Sequence, residues 1–177
     1  MTKSKYLFLL TLILLLVGCS QDSSNSSFTP AKYNGSNLII GVVGEKPLYN
    51  DEKVTFKNLT IEDIRNESFY DLDGVIITKS KLEEASEPAF ANIYINSPVP
   101  FIFADSEKVL HAFIDEHTSY KDALTIKSGD YLTGYFNNHT FGLTLHEDIA
   151  NEKSLEDVYA RVFKLIEHSK ETKELNI

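Results

Sequence analysis

Three apolar runs, Leu38-Ile-Ile-Gly-Val-Val43, Gly74-Val-Ile-Ile-Thr78 and Phe101-Ile-Phe103, restrict the fold more than any other feature of this chain. Each is short, continuous rather than alternating, and rich in β-branched or aromatic residues, so each reads as a strand buried on both faces. Helix-start signals lie between them. Thr60-Ile-Glu-Asp63 has N-cap spacing and opens a short helix to about Arg65. Ser80-Lys-Leu-Glu83 has capping-box spacing and starts a helix toward Tyr94, interrupted at Pro88 and stopped by Ser97-Pro-Val-Pro100. Parallel neighbours require crossover connections, usually helical, so buried strands interleaved with helices predict an α/β fold with helices on both faces of the sheet.

The remaining segments fit the same frame. Val54 to Leu59 alternates apolar and polar residues and reads as a half-buried strand near an edge, reached from the first strand by a loop over Glu45 to Lys53. Asp105-Ser106 is placed to cap a helix from Glu107 to Ile114. Asp130 to Phe136 and Thr140 to Leu145 flank Asn137-Asn138-His139, a connection that closes a hairpin. Ser154-Leu-Glu-Asp157 opens a final helix with the stripe Leu155, Val158, Val162, Leu165 and Ile166. The expectation is a single three-layer sandwich over residues 37–170, with a mainly parallel sheet of about five or six strands, a C-terminal antiparallel hairpin, a terminal helix, and a frayed tail over 171–177. In pattern this resembles half of a Rossmann-like or periplasmic-binding-protein architecture, and such a likeness does not name a function.

In open α/β sheets ligands gather at the carboxyl ends of the strands. Those ends place Glu45, Thr78, Lys79, Ser80, Asp105 and Ser106 as candidate ligand-binding residues: carboxylates, a lysine and hydroxyls beside expected helix starts, a set suited to a small polar or anionic ligand. The same residue types are what helix caps and strand ends carry for structural reasons alone. Gly41-Val-Val-Gly44 is followed by Glu-Lys-Pro, without the third glycine and helix start of a dinucleotide fingerprint. Only Glu45 stands where response-regulator phospho-acceptor domains place paired acids. The five histidines, His111, His117, His139, His146 and His168, include no pair at His-x-x-x-His spacing, so neither a metal nor another cofactor is expected. There is no Gly-x-Ser-x-Gly elbow and no second cysteine for redox exchange, and no catalytic residue is assigned.

The N-terminal nineteen residues carry a different message. Met1 to Lys5 holds two lysines and no acid, Tyr6 to Val17 is apolar apart from Thr11, and Gly18 precedes Cys19, the only cysteine. That is a charged start, an apolar core and a cleavage site, with an apolar run well below the roughly 20 residues a membrane-spanning helix needs. Leu16-Val17-Gly18-Cys19 resembles a bacterial lipobox. The resemblance implies a lipoprotein signal peptide over 1–18, cleavage between Gly18 and Cys19, and diacylglycerol on the Cys19 thiol, as in small lipoproteins of low-GC Gram-positive bacteria.

Residues 19–36 then read as the lipidated cysteine and a disordered, serine-rich tether. Without the leader the chain carries −11 (15 basic against 26 acidic residues), which opposes nucleic acid and anionic lipid as partners and leaves acyl chains as the membrane attachment. The expected address is the extracytoplasmic face of a cell membrane. The expected function is that of a non-enzymatic module binding an envelope protein or peptide, with a small-ligand receptor at the strand ends as the alternative and an envelope hydrolase using Asp105, Glu45 or a histidine third.

Overall fold

The computed structural model describes residues 28–127 and 129–175; the leader, the expected cleavage site and Cys19 lie outside the described residues. Six strands, β1 (Leu38–Val43), β2 (Val54–Leu59), β3 (Gly74–Ile77), β4 (Phe101–Ala104), β5 (Asp130–Phe136) and β6 (His139–Thr144), form one sheet in the order β2-β1-β3-β4-β5-β6. Pairing is parallel from β2 through β1 and β3 to β4, and antiparallel from β4 to β5 and from β5 to β6. The sheet is therefore mixed, and the class is α/β. The helices are α1 (Ile61–Arg65), α2 (Leu82–Ala85), α3 (Pro88–Ile95), α4 (His111–Ile114) and α5 (Glu152–Thr172).

Alternation along the buried strands divides the core in two. Val43, Val75, Ile77, Phe101 and Phe103 face α1 to α4, meeting Ile64, Leu82, Phe90, Tyr94 and Phe113. Leu38, Ile40, Ile76, Ile102 and Ala104 point the other way, onto Val158, Val162, Phe163 and Ile166 of α5. Each fully buried side chain of this size contributes about 1.5–3 kcal/mol before ordering entropy is subtracted. The chain leaves β1 through the loop 44–53, whose Tyr49 packs on the α5 side, and returns from β2 to β3 through α1 on the opposite side. That change of side makes the gap between β1 and β3 the topological switch point.

Local chemistry accounts for several element ends. Thr60 and Asp63 form a full capping box at α1, Pro88 occupies the first turn of α3, and Asn137 and Asn138, at φ 47° and 65°, make the two-residue turn between β5 and β6. Other ends differ from expectation. Asn151, not Ser154, caps α5, its side-chain oxygen accepting from the Ser154 N–H at 3.0 Å. Ser80 caps nothing: a 3-10 turn at Lys79–Lys81 leads into α2 without a side-chain cap. The helix expected from Glu107 shrinks to α4, because Ser106 Oγ closes a turn on the Lys108 backbone and Lys108 then bridges to Thr125.

Both expected boundaries of the folded body also move. Residues 28–36 form a strap along α5 instead of a disordered tether. The Ala31 N–H donates to Asp157 Oδ1 at 2.8 Å, and Tyr33, 4% exposed, sets its ring edge-on to Phe163. The Ser36 N–H donates to Glu167 Oε1, and Phe28 stacks on His146 with ring centres 3.8 Å apart. Serine content hid the apolar anchors in this segment. At the other end α5 continues to Thr172, Lys173 takes a left-handed C-cap whose carbonyl accepts from Asn137 Nδ2, and Leu175 is buried with Phe136 and Leu165, so the tail expected to fray over 171–177 is packed as far as Leu175, the last described residue.

Candidate functional site

Four of the six candidate residues meet in pairs at the carboxyl ends of the parallel strands. The Glu45 N–H donates to Thr78 Oγ1 at 2.8 Å, and the Thr78 hydroxyl reaches back to the Val43 carbonyl, so one hydroxyl ties the ends of β1 and β3 together. Gly44 permits this approach. Its φ is +101°, and a Cβ there would lie 2.3 Å from Thr78 Oγ1.

Lys79 Nζ lies 3.3 Å from Asp105 Oδ2 and 3.2 Å from Glu107 Oε1. The two carboxylates raise the lysine above its ordinary value, Glu107 contributing most. All three side chains are about half exposed or more, so each pair is worth about 0–1 kcal/mol. Asp105 itself holds φ 55°, with its N–H donated to the Tyr131 carbonyl at 2.7 Å. The remaining two candidates stand apart. Ser106 is 7% exposed and turned into its own loop, and Ser80 is exposed above Gly44 without a capping role.

Sequence reasoning missed two tyrosines beside this cluster. In the pairing of β5 with β6, Tyr131 is the extra residue between Asp130, opposite Thr144, and Leu132, opposite Leu143. Bulges of this kind re-aim a side chain, and here the Tyr131 ring packs with the α5 side of the core, perpendicular to Tyr159 at 6.4 Å. Burial raises the Tyr131 hydroxyl and Asp105 adds to the shift, while a hydrogen bond with Tyr159 and the Lys79 charge oppose it. Tyr159 is raised far more, first by burial and then by its neighbours Tyr131 and Asp105. Both phenols stay protonated and can donate. Tyr159 sat one residue from the α5 stripe and was readable as a core position, but nothing local to Tyr131 announced the bulge.

The same end of the sheet carries an open groove that the sequence marked only as loop. It lies between Lys46 to Asn50 and the first turns of α5, with a volume of about 770 Å³, and Ala150, Asn151, Glu152, Leu155 and Glu156 form its second wall. Tyr49 forms the base, its ring 4.9 Å from Phe163 and its hydroxyl pushed up to about 12, chiefly by burial and then by Asp51. Lys46 Nζ sits over the Phe56 ring at 5.1 Å. Glu152 and Glu156 leave the α5 wall acidic, and Leu48 on the opposite wall is 76% exposed. The local signal was Pro47-Leu48-Tyr49, three apolar residues in a turn-rich loop.

The chain matches no protein-family model, no curated protein and no solved structure. Among the described residues, no group of three or more histidines, cysteines or acids is arranged to hold a metal ion, and no helix is long and apolar enough to cross a membrane.

Proposed function

We propose that this chain is a lipid-anchored extracytoplasmic protein of a bacterial cell membrane, held by diacylglycerol on Cys19 after cleavage at Gly18, and that its α/β body is a non-enzymatic module binding an envelope protein. The architecture is taken as a three-layer sandwich, its parallel strands β2 to β4 carrying the site and its closing hairpin acting as a brace. The address comes from the lipobox at Leu16 to Cys19. The binding role is carried by the groove between Lys46–Asn50 and the start of α5, an open trough with an apolar wall and base and an acidic rim. A shape of this kind accepts a side chain or short segment of a protein more readily than it encloses a small molecule, which pockets bury by 70–90%.

Crosslinking on intact cells, followed by detergent extraction and pull-down of the full chain, tests the binding role. The expected result is one reproducible envelope partner that is lost when Leu48→Asp places a charge on the apolar wall. No reproducible partner, or a partner indifferent to Leu48→Asp, contradicts it.

A second reading, a receptor for a small polar ligand, is supported by the convergence of Lys79, Asp105 and the Tyr131 hydroxyl at the strand ends. An anionic ligand would have to displace Asp105 and Glu107 from Lys79. A ligand screen read by thermal unfolding checks this, since a ligand bound only by the native state raises the midpoint. A flat screen across sugars, amino acids and anions removes the reading.

A further inference from the structure

We infer that the strap at residues 28–36 turns the body over on its anchor, so that the carboxyl end of the sheet, with the groove at Leu48, faces the bilayer. The inference rests on the lipid anchor proposed above. The chain enters β1 at Leu38, at the amino end of the parallel strands, so a tether ending at Asn37 would hold that end against the membrane.

The strap reverses this. Ser36 is bonded to Glu167 and Lys53 Nζ holds the Asn34 and Gly35 carbonyls, all at the amino end. Upstream, Tyr33 packs on Phe163 and the Ala31 N–H binds Asp157. From Asp157 to Glu167 is ten residues of helix, about 15 Å along the axis. Phe28 then stacks on His146, which follows the end of β6. β6 runs in the same direction as β1 to β4, because two antiparallel pairings separate it from β4. The described chain therefore begins at the carboxyl end, with Phe28 nine residue steps from Cys19, a separation that the chain can span over at most about 30 Å.

Of the five exposed large apolar side chains among the described residues, Leu48, Leu124 and Ile149, at 76%, 76% and 51%, lie on carboxyl-end loops, whereas Tyr70 and Ile39, at 59% and 45%, lie toward the amino end. Glu45, Glu107, Glu147 and Glu152 at the carboxyl end oppose anionic lipid, so the tether and not charge attraction sets the orientation.

The test places one fluorophore on the lipidated full chain, at Leu48→Cys or at Asn96→Cys at the opposite end, in phosphatidylcholine vesicles bearing a headgroup quencher. The expected result is several-fold stronger quenching at position 48 than at 96. A long Gly/Ser insertion between Ser27 and Phe28, which leaves the body untouched, removes most of that difference, and Ala31→Pro with Tyr33→Ala, which frees the strap, abolishes or reverses it. Vesicle-bound protein with equal quenching at the two positions, or stronger quenching at 96, overturns the orientation alone. Protein that does not float with the vesicles overturns the anchor and the orientation with it.

Discussion

Gly44 and Thr78 join the first two buried strands through a contact that leaves no room for a side chain, since a Cβ on Gly44 would fall 2.3 Å from the Thr78 hydroxyl at a φ of +101°. Gly44→Ala is expected to destabilise the fold by about 1–3 kcal/mol and to loosen the Glu45 to Thr78 bond, as read by chemical denaturation. The tyrosines of the α5 face make a pH prediction. Tyr33 and Tyr49 are 4% and 8% exposed and are each pushed up to about 12, chiefly by burial. The unfolded chain ionises its phenols near 10, so between 10 and 12 the unfolded state has released protons that the native state still holds. The stability they supply is fully present below pH 10 and is lost as pH rises toward 12. Denaturation midpoints followed through that window should fall for the native chain and fall less for the Tyr33→Phe, Tyr49→Phe double variant.

α5 carries more of the fold than any other helix, because its one face supplies the α5 side of the core and its outer edge holds the strap through Asp157, Phe163 and Glu167. Asn151→Ala, which removes the acceptor for the Ser154 N–H, is expected to cost about 1 kcal/mol and to lower the thermal midpoint without altering the sheet. How far such elements could be read in advance depended on whether their determinants were local. The runs at Leu38, Gly74 and Phe101 and the stripe of α5 were legible because burial on both faces, or on one stripe, writes itself into consecutive residues. The strap was not, because Phe28, Ala31 and Tyr33 are ordered by partners more than 100 residues away, hidden among serines. For the same reason Lys79 and Asp105 were recognised at strand ends, whereas Glu107, Tyr131 and the groove wall at Leu48 depend on a loop turn, a bulge and a packing angle that no local pattern encodes.

At the scale of the molecule, the fold brings several features to one end: the switch point between β1 and β3, the Lys79 cluster, the open groove, three of the five exposed large apolar side chains among the described residues, and Phe28, where the described chain begins. The amino end holds closing contacts, such as the Lys170 pair with Asp73 at 2.7 Å and the packing of Leu175, beside the exposed Tyr70. This polarity has functional meaning only if the chain is tethered, which makes the anchor the central claim. Intact-mass analysis of the protein extracted from membranes tests it most directly. The account predicts a chain beginning at Cys19 and heavier than its residues by a diacylglyceryl group, with Cys19→Ser remaining at precursor mass or shed. A membrane-held protein of mature size in the Cys19→Ser variant, or a mature chain with an unmodified thiol at Cys19, would contradict it.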